Sequence, residues 1–214
     1  MITRSTFTSI LFSISIISTF SQVQNIRYGV KYIPGTSDYN CYFTVSSGFA
    51  ESSEDRILND AQFSIKVETG ASISLVASNL PFLDNEFYNG TEPAVWSVSQ
   101  SVISPASDPE FDYYSFEPDL SQTCRFNDLF QNTEYNLLRI SVEGSCVKGV
   151  QIFKNGIDPG ASGSGMGGKD FANTMRINSS SSLFLGLDAG IAFGADLILD
   201  DVFSCDGDCV TLEV

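Results

Sequence analysis

Phe63–Ser78 reads FSIKVETGASISLVAS. Phe63, Ile65 and Val67 alternate with Ser64, Lys66 and Glu68, and beyond Gly70 the residues Ile73, Leu75 and Ala77 share one face. Strand side chains point alternately to the two faces of a sheet, so an apolar residue at every second position marks a half-buried strand. Two such runs meeting at a glycine predict a hairpin, Phe63–Thr69 paired with Ser72–Ser78.

The same period extends in both directions. Ile26–Ile33 sets Ile26, Tyr28, Val30 and Tyr32 against Arg27, Gly29 and Lys31, and Pro34-Gly35 ends it with a turn. Tyr39–Ser46 aligns Cys41, Phe43 and Val45. Ala94–Ser104 aligns Trp96, Val98 and Val102, with Trp96 as core filler, and Tyr135–Glu143 aligns Leu138, Ile140 and Val142. Val147–Lys154, Met175–Ile177, Leu183–Leu187 and Ile191–Phe193 read as further short strands. No long stretch carries a 3.6-residue apolar period, so helix is expected to be scarce. Many short strands divided by Gly, Pro, Asn and Ser point to an all-β fold, an antiparallel β-sandwich with long loops and little helix.

Two segments fall outside the alternation. Asn79–Pro93 reads as a polar, aromatic loop with a turn at Asn89-Gly90. Pro105–Asp119 reads as an irregular crossover that packs the aromatics of Glu110–Glu117, EFDYYSFE, on the rim of the sandwich. The competing reading makes Tyr113, Tyr114 and Phe116 an exposed platform on which a sugar stacks.

At 214 residues the chain has a natural length for one β domain. Phe7–Phe20, FTSILFSISIISTF, follows Arg4, and Thr19 and Ser21 are small residues in register for cleavage before Gln22. Residues 1–21 therefore read as a secretory signal peptide and 22–214 as a single domain. The apolar run is short and serine-rich for a bilayer span, and no other stretch is apolar enough. The expected location is extracellular or at the cell surface, with no membrane span in the mature chain. The net charge is −15, and removing Arg4 with the leader makes the mature chain one charge more acidic. Such a surface repels nucleic acid and anionic lipid, which both need a positive footprint.

Export permits disulfides. Cys205–Cys209 encloses CDGDC, a loop that Gly207 lets turn back, and Cys124 and Cys146 flank a predicted strand. These four are the disulfide candidates, with pairing open. Cys41 sits in a strand pattern and reads as a buried free thiol. With no C-x-x-C and no histidine in the chain, a cysteine or histidine metal site has little support.

The absence of histidine also excludes Ser-His-Asp and Cys-His arrangements. Asp200-Asp201 are adjacent, and neighbouring strand residues face opposite ways, which does not suit two groups flanking one bond. The glycine-rich stretch Val150–Ile177, VQIFKNGIDPGASGSGMGGKDFANTMRI, has the wrong spacing for a phosphate-binding Walker loop. Its Asn155, Asp158, Asp170 and Asn173 are hard oxygen donors and form a candidate calcium site. Asx turns satisfying the loop's own backbone are the plainer account. Asp196, Asp200, Asp201, Asp206 and Asp208 read as a solvated acidic tail, and Asn89-Gly90-Thr91 and Asn178-Ser179-Ser180 are formal glycosylation sequons.

The segments QNIRYGVKYIPGTSDYNCYFTVSSG, DAQFSIKVETG, NLPFLDNEFYNGTEPAVWSV and IFKNGIDPGASGSGMGGKDFAN, in that order, resemble a recurring extracellular domain of Bacteroidota secreted proteins. The shared element is an aromatic-x-NG-x-DP…GMGG-x-DF-x-N loop. It is matched by Phe153, Asn155, Gly156, Asp158, Pro159, Gly165–Gly168, Asp170, Phe171 and Asn173. The resemblance runs from about Gln24 to Ile177. It implies an exported, surface-associated protein, and proteins of that kind often carry C-terminal sorting domains for type IX secretion. The pattern is also distantly similar to cohesin-like sandwiches, which bind proteins. The expectation is a secreted, non-enzymatic structural or adhesive module, partnered by protein or glycan at the cell surface or by copies of itself. A carbohydrate- or protein-binding module is the alternative, and a carboxylate-dependent glycosidase a more distant one.

Overall fold

The architecture turns on one long strand. In the computed structural model, which describes residues 22–78, 95–121, 123–144 and 149–188, β3 (Ile57–Glu68) is paired on both edges. Leu58 lies between Cys124 of β7 (Cys124–Arg125) and Ile177 of β10 (Thr174–Ile177). Ile65 lies between Tyr114 of β6 (Phe111–Pro118) and Ile152 of β9 (Gln151–Ile152). With β5 (Trp96–Val102) on the far side of β6, these strands form one sheet, ordered β10-β3-β6-β5.

The second sheet is ordered β11-β1-β2-β8-β4. Its members are β1 (Asn25–Tyr32), β2 (Asp38–Ser47), β4 (Ser72–Ser78), β8 (Glu134–Glu143) and β11 (Phe184–Leu187). Its neighbours are antiparallel except β1 and β11, which run parallel. One short 3-10 turn, Glu54–Arg56, precedes β3. The two sheets pack face to face as an all-β sandwich.

The predicted inward faces meet in the middle. Ile26, Tyr28 and Val30, Cys41, Phe43 and Val45, and Leu138, Ile140 and Val142 are buried against Phe63, Ile65, Val67 and Phe116. The Tyr28 ring lies 4.7 Å from that of Phe63, and its hydroxyl donates to the Thr174 carbonyl at 2.6 Å, joining the sheets. Burying an aromatic of this size contributes about 1.5–3 kcal/mol.

Several readings need correction. Phe63–Thr69 and Ser72–Ser78 do not form a hairpin, because β4 crosses to the other sheet and pairs with β8. Gly70 does turn the chain, at φ +96°, yet a turn does not choose which edge the next strand joins. The Glu110–Glu117 segment is not an irregular crossover but β6, well inside its sheet. Trp96 is buried as a core residue, but Val98 is exposed. A bulge between Val98 and Gln100 then flips the strand, so Val102 faces away from Trp96.

Among the described residues, no helix is long and apolar enough to cross a membrane, and there is no disulfide bond. Cys41 is a buried thiol, and its apolar surroundings push its ionisation well above the usual range. Cys124 is buried, 3.9 Å from the Asp119 carbonyl. The leader at 1–21, the loop at 79–93 with Asn89, the strand at 191–193, the acidic tail, and Cys146, Cys205 and Cys209 lie outside the described residues.

Candidate functional site

An antiparallel sandwich normally leaves the outer face of each sheet to water. Here the outer face of the β3–β6 sheet is roofed by the glycine-rich loop, residues 153–173. The loop leaves the sheet after β9 and rejoins it at β10. Beneath it, Tyr113 of β6 packs with Phe153, Met166 and Phe171 in a small second core.

Two asparagines close the mouth of this loop. Asn155 and Asn173 exchange bonds, Asn173 N–H to Asn155 Oδ1 at 2.8 Å and Asn155 Nδ2 to the Asn173 carbonyl at 2.9 Å. The Asn173 side chain then accepts from the Ser64 N–H at 2.7 Å and donates to the Phe153 carbonyl at 2.7 Å. It continues the β3 ladder across the gap between β9 and β10. The roof is tied down elsewhere by Lys169 Nζ on the Ser101 carbonyl at 2.6 Å, and by Gln62 and Gln100, which both donate to the Asp170 carbonyl. Ser107 N–H donates to the Ser164 carbonyl at 2.8 Å, linking the roof to the β5–β6 turn.

At the rim of this second core sits a charged cluster. Lys66 projects from β3 with its ammonium 2.7 Å from Asp158 Oδ1 and 3.8 Å from Asp108 Oδ2. The Lys66 and Asp158 side chains are only 12% and 6% exposed. The Phe111 ring lies 4.5 Å from the same ammonium, a cation–π contact that takes the place of hydration. Asp158 Oδ2 accepts from the Lys154 N–H at 2.6 Å, so both of its oxygens are engaged. The Tyr113 hydroxyl donates to Asp108. Burial first, then that bond and the nearby carboxylates, push the Tyr113 hydroxyl far above the usual phenol range.

The candidate calcium ligands are thus placed as follows. Asn155 and Asn173 bond to each other and to the sheet. Asp158 is held by a lysine. Asp170 caps a turn by accepting from the Ala172 N–H at 2.9 Å. Among the described residues no three Cys, Asp or Glu side chains converge as a metal-binding group. The aromatic platform is also placed differently from the expectation. Tyr113 and Phe116 are buried on opposite faces of β6, and Tyr114 is half-buried against the main core. None of the three lies on an open face where a sugar stacks.

What the roof does expose is Ile157, at 79% the most open large apolar side chain among the described residues. It sits in a turn whose next residue is the anchored Asp158, with Ile157 N–H donating to the Lys154 carbonyl at 3.0 Å. Asn178 of the second sequon is exposed at φ +43°, and its amide donates to Asp55. Lys66, Asp108 and Ser64 belong to this cluster and its ties to the sheet, and sequence reading missed them. Lys66 and Asp158 are 92 residues apart, and no spacing rule connects them.

No family model, no curated protein and no solved structure matches this chain.

Proposed function

We propose that this protein is a rigid, non-enzymatic module exported to the cell surface, where it serves a structural or adhesive role. The observation that carries this reading is the roof. The titratable groups beneath it are turned inward and paired with one another. Lys66 sits between Asp158 and Asp108, and Tyr113 holds Asp108. Both carboxylates are engaged by the same lysine, an arrangement that does not suit an acid–base pair flanking a glycosidic bond. The order of segments resembling a Bacteroidota extracellular domain, together with the acidic charge and the serine-rich apolar leader, supports export.

The binding reading is favoured by a different residue from those first considered. Ile157 is an exposed apolar side chain on an immobilised turn, a contact that costs little ordering when a partner closes on it. Beads coated with the domain are expected to adhere to producing cells or their secreted matrix, and Ile157→Asp to weaken adhesion without lowering the melting temperature. Enzyme-like turnover of a polysaccharide, ester or peptide by the purified domain would sink the proposal.

A further inference from the structure

We propose that Lys66 and Asp158 become joined by an intramolecular isopeptide bond, with Asp108 as the proton carrier. The ammonium and the carboxylate are already in hydrogen-bond contact at 2.7 Å. Both are held from several sides. Lys66 lies in a strand paired with Tyr113 on one edge and Gln151 on the other. The Asp158 carboxylate is fixed by the Lys154 N–H, and the Asp158 N–H donates to the Lys154 carbonyl at 3.0 Å. Reacting groups fixed at this separation gain effective molarities on the order of 10⁵–10⁸ M.

Burial supplies the rest of the driving force. A desolvated ion pair is costly to keep, because the attraction between the charges seldom repays their lost hydration. A neutral amine and a neutral acid are the forms that condense, and one proton passed from the Lys66 ammonium to the Asp158 carboxylate across their 2.7 Å contact gives both. In the step, Lys66 Nζ as the free amine attacks the carboxyl carbon of Asp158. The N–C bond forms and one C–O bond breaks. Asp108 takes a proton from Nζ and returns it to the departing oxygen, which leaves as water. One ammonium and one carboxylate give one amide and one water, and no electrons are exchanged. Tyr113 is a positioning residue that aims Asp108 at Nζ through its hydroxyl. The bond would staple the roof to the central strand whether or not the domain is adhesive.

Mass spectrometry of the intact chain, denatured and reduced, decides it. The expected mass is one water below that calculated for the sequenced N-terminus. Protease digestion is expected to release a branched peptide joining Lys66 to Asp158. Lys66→Arg, which keeps an ion pair but cannot form this amide, is expected at full mass, as is folded Asp108→Asn; Asp108→Glu is expected to restore the loss. Full mass for the parent chain overturns the proposal. So does a water loss that maps elsewhere, such as an aspartyl succinimide at Asp206-Gly207. An unchanged yield in folded Asp108→Asn overturns the part given to Asp108.

Discussion

Asn173 shows how much one side chain can hold. It is buried, and it satisfies a donor of β3 and an acceptor at the loop's entrance while its own backbone is held by Asn155. Truncation leaves the Ser64 N–H and the Phe153 carbonyl buried without partners. Asn173→Ala is therefore expected to cost about 2–4 kcal/mol, read as a lower urea midpoint at unchanged slope. A cost below about 0.5 kcal/mol would mean water fills the gap. Gly165 makes a similar case on the backbone. Its φ is +85°, and a Cβ there would stand 2.5 Å from the Ala106 nitrogen. Gly165→Ala is expected to destabilise by about 1–3 kcal/mol, whereas Gly160→Ala, with open space around it, is expected to be neutral in the same measurement. At this scale little was legible beforehand. Four side chains rich in oxygen invite a cation reading, because sequence names the donors and acceptors but not their direction. Direction comes from β3, which arrives from a part of the chain 109 residues away.

Among the elements, the strands read correctly are those whose letters contrast from one face to the other. In β1, β2 and β8 the apolar and polar positions separate, so period two survives in the letters. β6 escaped because both of its faces carry aromatics. Tyr114 and Phe116 meet the main core while Phe111 and Tyr113 meet the second one, so FDYYSFE shows no contrast between its faces. The mistaken hairpin has another cause, since turn chemistry is local and the choice of sheet is not. The second core predicts separable behaviour. Phe171→Ala removes one of its four buried members and is expected to cost about 3–5 kcal/mol. The loss should fall on the roof. Amide exchange is expected to quicken across 156–170 and to stay slow at Ile65 and Val67, which belong to the main core. Equal acceleration in both places would show that roof and sandwich unfold as one unit.

For the whole molecule, the abundance of buried hydroxyls and thiols sets a limit on the alkaline side. Burial raises the ionisation of Tyr28, Tyr42, Tyr113 and Tyr114 above the ordinary 10.0, and that of Cys41 and Cys124 above 9.0. These groups keep their protons longer in the folded chain than in the unfolded one. Their contribution is complete below the unfolded values and is lost as pH climbs past 9 and then 10. Tyr28 and Cys41, which are wholly buried, each contribute a fall of up to about 1.4 kcal/mol per pH unit in that range. The chain already carries a net charge of −15 at pH 7, and further ionisation adds to its self-repulsion. On the acid side Asp55, held low chiefly by its bond from Ser52, contributes in full above its usual 3.8 and loses that contribution as pH falls through its lowered folded value. The melting temperature is thus expected to be level from about pH 6 to 8 and to fall steeply above pH 10. Tyrosinate absorbance from the buried rings should rise together with unfolding rather than ahead of it. Titration of all the tyrosines near pH 10 while the chain stays folded would show that these hydroxyls reach water, and that the two cores are not closed as described.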